Sequence, residues 1–170
     1  MNRNTVAASS QPVSEKARAE ALASALITEH WDCNIPIDPE GYARRLGLSV
    51  EHCENLGLKT GVLDAEHLLI RVNAKIAPEH QRFAVARELG RFCLGYEGPE
   101  KGTDAPSVFP VHPERDRAAE AFALTLLIPA VALKAMVEVR NVKDPVALRR
   151  AFGVSSQVLY QRLETLGYFL

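Results

Sequence analysis

The sequence predicts an α+β fold: a small antiparallel sheet packed on helices, followed by a C-terminal helix-turn-helix-like pair. Three observations carry this. Apolar residues recur three and four apart toward both ends of the chain. Between those stretches lie two alternating, β-branched runs broken by turn residues. Near the C-terminus two helical runs meet at a short turn containing Gly153.

Taken in order, residues 1–13 are polar and small and read as a disordered tail. From Ser14, a good N-cap, SEKARAEALASALITEHW places Ala17, Ala21, Leu22, Ala25 and Leu26 at helical spacing. PEGYARRLGL reads as a short helix opened by Pro39 and ended near Gly47. LSVEHCE and LKTGVLDAEHLLIRVN read as strands, with a turn at Asp64-Ala65-Glu66 and LLIRVN the most apolar stretch. Residues 78–94 form the next helix. Pro78 suits its first position, Glu79 suits the positive end of the dipole, and Gly95 stops it. The stretch 96–112 carries three prolines and two glycines and reads as a long loop, of a length often tied to function.

Pro113 opens PERDRAAEAFALTLLI, which breaks at Pro129, where PAVALKAMVEV restarts. The chain ends with two helices around Gly153, the second capped by Ser155. The expected layout is thus a tail at 1–13, a core domain at 14–138, and a helical pair at 139–170. The pair packs on the core through Leu148, Phe152, Val154, Leu159 and Leu163. An alternative has it bind DNA through Arg149, Arg150 and Arg162, although Asp144 and Glu164 dilute that charge.

Composition narrows the function classes. The 170 residues suit one compact domain, and 47% apolar and 24% charged residues are ordinary for a globular protein. A net charge of −1 gives no support for a nucleic-acid or membrane-surface role. Cys33, Cys53 and Cys93 are odd in number and irregular in spacing, which argues against a disulfide framework. The N-terminus has no apolar core of signal-peptide length, and the longest apolar stretch, Phe122 to Met136, is too short and too interrupted to span a bilayer, so a cytoplasmic location is expected.

The chemistry-bearing stretch is VARELGR, residues 85–91. At about 100° per residue, positions four apart lie about 40° apart in projection, so Arg87 and Arg91 share a face. Glu88 sits at the edge of that face, with His80 two turns back. The same spacing in an HExxH helix lets two imidazoles grip one zinc while the glutamate acts on zinc-bound water. Arginine cannot replace either ligand, because a guanidinium has five donors and no free lone pair, and two of them repel a dication. By itself RExxR is compatible with an ordinary amphipathic surface helix.

The surrounding segments carry more. Ile70-Arg71-Val72-Asn73 ends a strand, RFAVARELGR follows from Arg82, and DRAAEAFALTLLIP runs from Asp116 to Pro129. Phe152 to Gly167 completes the order. In these motifs and their spacing the chain resembles the ImmA/IrrE family of zinc-dependent peptidases, over roughly residues 14–170. The resemblance implies a zincin-like, metallopeptidase-type fold, and members of the family commonly cut helix-turn-helix repressors. It also places Arg87 and Arg91 at the two histidine ligand positions, Asp116 at the usual glutamate ligand, Glu120 at a usual asparagine, and Glu88 at the general base.

With no zinc ligands at 87 and 91, Glu88 is expected to be idle and no cofactor is expected. The same placement implies a network of Arg87, Arg91, Asp116 and Glu120 standing where the metal would be, since buried charges need partners and arginine pairs well with carboxylates. A relocated metal site built from His67, His80, His112 or Cys93 is the competing possibility. No GxSxG, P-loop or GxGxxG sequence occurs. The expected function is that of a catalytically inactive peptidase relative that binds a protein partner, a helix-turn-helix repressor or antitoxin by analogy. The settings implied are phage, mobile-element, stress-response or toxin–antitoxin modules. The alternatives are an active peptidase with an atypical metal site, and a DNA-binding regulator.

Overall fold

A computed structural model of the protein describes residues 13–96 and 113–169. Most of the expected tail and of the 96–112 loop therefore lies outside the described residues. Tyr96, expected in that loop, is buried, and its hydroxyl donates to Glu15 Oε2 at 2.5 Å.

Among the described residues seven α-helices and three strands occur in the order α1 (Glu15–His30), α2 (Pro39–Arg45), β1 (Ser49–Cys53), β2 (Gly61–Asp64), β3 (Leu69–Asn73), α3 (Pro78–Cys93), α4 (Pro113–Leu127), α5 (Ala130–Lys134), α6 (Pro145–Phe152) and α7 (Ser156–Thr165). A π-helical turn, Ala135–Val139, prolongs α5. The capping chemistry explains several starts. Ser14, Asp38, Asp144 and Ser155 each accept from a backbone N–H in the first turn of α1, α2, α6 and α7, satisfying donors that a helix start leaves unpaired. Gly153 ends α6 in the left-handed region (φ 64°), where a side chain would be strained.

The α+β class stands, but the sheet is mixed rather than antiparallel. Its order is β1-β3-β2, with β1 parallel and β2 antiparallel to β3. Burial accounts for this. The most apolar strand, β3, has four of its five residues buried, while β1 is mostly exposed and takes an edge. The loop between β1 and β2 carries the chain past the position of β3, so β1 and β2, consecutive in sequence, are not neighbours in the sheet.

The core lies among α1, α3, α4 and the sheet, with α1 and α4 packed most extensively. Phe122, Leu126, Leu127 and Ile128 near the end of α4 are fully buried. Leu148, Phe152, Val154, Leu159 and Leu163 are buried too, so α6 and α7 share this core. Among the described residues no single helix is long and apolar enough to cross a membrane. The α4 helix and its continuation would reach that length only as a pair bent by 48°.

Candidate functional site

The site forms where α3 passes beneath β2 and beside α4. Two glycines permit the approach. A Cβ on Gly61 would lie 3.2 Å from Glu88 Cγ and 3.3 Å from Ala84 Cβ, so the β2 backbone sits close over α3. A Cβ on Gly90 would lie 2.9 Å from three carbons of Phe122, so α3 and α4 touch there at backbone range. Asn73, the last residue of β3, is buried, and its amide donates to Gly57 O (3.3 Å) and Lys59 O (3.1 Å). It thereby holds the loop that delivers Lys59 and Thr60 to the site.

Glu88 lies at the centre, with its side chain 4% exposed. Its Oε1 accepts from Arg87 Nε (3.2 Å) and Nη2 (3.1 Å), and its Oε2 lies 3.5 Å from Arg91 Nε. Arg87 Nη2 also donates to Thr60 Oγ1 at 3.0 Å. Arg91 Nη2 donates to Asp116 Oδ1 on α4. The result is one continuous chain, Thr60–Arg87–Glu88–Arg91–Asp116, joining the start of β2 to α3 and α4. Two guanidinium groups balance two carboxylates in a half-buried position, where an unpaired charge would carry a desolvation penalty of several kcal/mol.

This arrangement differs in two respects from the network implied by the resemblance. Arg87 turns to Glu88 and Thr60, not to Asp116. Glu120, four residues and about 6 Å of helix rise beyond Asp116 along α4, has no hydrogen bond or ion pair to either arginine among the described residues. Glu88 is accordingly the hub of the network, with both carboxylate oxygens held by cations.

Zinc does not fit the residues present. Guanidinium nitrogens have no lone pair to offer, and among the described residues no group of three or more His, Cys, Asp or Glu side chains is placed to hold a metal ion. The residues considered for a relocated site lie apart. His67 bonds Asp64 at 2.9 Å in the β2–β3 turn. His80 is exposed in the first turn of α3. Cys93 packs against the core at the other end of α3, and burial pushes its thiol up to about 11. His112 lies outside the described residues.

Beside the network is an open cleft of roughly 180 Å³, lined by Lys59, Gly61, Val62, Leu63, Arg87, Glu88 and Arg91. Residues 43–164 match the family model described as the IrrE N-terminal-like domain. The chain belongs to this family. The match runs across residues 138 and 139, so the IrrE-like domain takes in α6 and most of α7 as well as the sheet and α3. Its fold is shared by a Mycobacterium tuberculosis transcriptional regulator at a TM-score of 0.63 and 18% identity, over 86% of this chain and 46% of that one. The chain thus spans less than half of that regulator's length, and at this identity the likeness is one of fold. No curated protein matches the chain.

Thr60, Lys59 and Gly61 belong to the site of this IrrE-like domain but carry no motif in the sequence. The one available signal was Gly61, since a glycine inside a strand pattern marks close backbone approach. Of the three arginines weighed for DNA contact, Arg162 is buried and donates to Ile128 O at 3.0 Å.

Proposed function

We propose that this IrrE-like domain is a non-cleaving relative of the repressor-cutting peptidases, working in the cytoplasm by binding a protein partner, a helix-turn-helix transcriptional regulator. The reading rests on one observation: both oxygens of Glu88, which the resemblance puts at the general base, are ion-paired to Arg87 and Arg91, which it puts at the zinc-ligand positions. A general base needs an oxygen directed at its nucleophile and a nucleophile to activate. Here both oxygens are engaged, and the ligand positions carry cations. What persists is a cleft beside an edge strand, which suits binding without bond cleavage.

The test uses the full chain with the regulator encoded beside its gene. Titration calorimetry is expected to give a saturable complex, and overnight incubation with added zinc is expected to leave the regulator at full length. Cleavage that disappears in Glu88→Gln would overturn the non-cleaving reading. Absence of any complex would overturn the choice of partner.

A further inference from the structure

The charge of the cleft points to what it binds. Lys59, Arg87 and Arg91 line it, against the single carboxylate of Glu88, with Asp116 at the far end of the network. A guanidinium carries five N–H donors. Arg87 uses Nε and Nη2, Arg91 uses Nε and Nη2, and neither Nη1 has a partner among the described residues. Lys59 has no carboxylate partner there either, so three cations retain donors beside one cleft.

The other wall is an edge strand. Asn73 N donates to Thr60 O at 2.9 Å, which makes 60 and 73 a hydrogen-bonded pair. In an antiparallel ladder such pairs alternate with non-bonded ones. By this alternation Gly61 and Leu63 turn their N–H and C=O groups outward from β3, and both residues line the cleft. An extended segment can add to such an edge through backbone bonds, with alternate side chains entering adjacent pockets.

Resting on the partner-binding reading above, we propose that the cleft receives an acidic side chain from an extended segment of the partner, laid along β2, with its carboxylate bound by Lys59, Arg87 and Arg91. Relative to the zinc site that the resemblance implies, two neutral ligand positions carry cations here, so the cleft suits an anion rather than a cation. Carboxylate is the chemistry favoured, because charge-assisted pairing to guanidinium is short and directional. The cleft, roughly 180 Å³, is close in volume to an engineered cavity of about 150 Å³ that takes one benzene, and so suits one side chain rather than a folded element.

Fluorescence anisotropy of the full chain with three labelled octapeptides tests this. The peptides alternate valine with glutamate, glutamine or lysine. The glutamate peptide is expected to bind at least tenfold more tightly than the glutamine peptide, and to weaken as salt rises. Lys59→Ala, an exposed position outside the Arg87–Asp116 network, is expected to reduce that affinity severalfold with an unchanged melting temperature. Equal affinity for glutamate and glutamine peptides, or no binding of either, overturns the proposal. A phosphoserine peptide that displaces the glutamate peptide at a hundredfold lower concentration would also overturn it, in favour of a phosphorylated segment. If the regulator binds while the glutamate and glutamine peptides tie, the partner reading stands and the acidic subsite falls. If the glutamate preference holds while no regulator binds, the reverse applies.

Discussion

Arg87 and Arg91 sit four residues apart on one face of α3, yet they bond in opposite directions. Arg87 reaches back to Thr60 at the entry to β2, and Arg91 reaches across to Asp116 on α4. The shared face was legible from spacing alone. The divergence was not, because each partner comes from an element that spacing on α3 does not describe. Both members of the Arg91–Asp116 pair are about a quarter exposed, so its strength should exceed that of a surface pair and fall below that of a fully buried one. Asp116→Asn is expected to lower stability by about 1 kcal/mol in urea unfolding, with the slope unchanged. A double-mutant cycle with Arg91→Met is expected to assign most of that loss to the pair. His67 offers a second check. The hydrogen bond that His67 donates to Asp64, and then the Asp64 charge, raise the imidazole above its ordinary 6.5, while the same contact lowers Asp64 below 3.8. The His67 contribution is therefore complete below pH 6.5 and is lost as pH rises through the raised value, whereas that of Asp64 holds above pH 3.8 and is lost as pH falls through the lowered one. A proton NMR titration is expected to place His67 above 6.5 and to return it toward 6.5 in Asp64→Asn.

Among the elements, the contact between α3 and α4 depends on Gly90. An alanine there would gain up to about 1 kcal/mol of helix propensity. Its methyl would also meet Phe122, a fully buried side chain, at 2.9 Å, and overpacking of that kind costs about 1–3 kcal/mol. Gly90→Ala is thus expected to be net destabilising by up to about 2 kcal/mol, read as a lower thermal midpoint, and to separate Arg91 from Asp116. The existence and type of these helices, and the caps at Ser14 and Ser155, were readable because a cap and its helix are neighbours in sequence. The strand order was not. Alternation reports which residues face the core, but not which strand lies beside which, and the parallel β1–β3 pairing joins residues 20 apart in register.

Across the whole molecule, two arginines tie the C-terminal helices to the core. Arg82 on α3 donates to Gly153 O at 3.1 Å and to Ile37 O, and Arg162 on α7 donates to Ile128 O at 3.0 Å, just past the end of α4. A cation at a helix C-terminus also complements the dipole. Burial holds both guanidinium groups below the ordinary arginine range. Arg162→Met keeps the apolar stem but leaves the Ile128 carbonyl without its donor. The expected loss is about 1.5–3 kcal/mol in urea unfolding, with faster amide exchange in α7 and at the end of α4. By itself the sequence determined the helices and strands, the caps at Ser14 and Ser155, the family motifs and the presence of arginine at 87 and 91, because periodicity, caps and side-chain chemistry are carried by the residues themselves. Only the tertiary structure decided the order of the strands, the separate partners of Arg87 and Arg91, the central place of Glu88 and the burial of Arg162. Each of these depends on the close packing of segments distant in the chain, which local spacing does not encode.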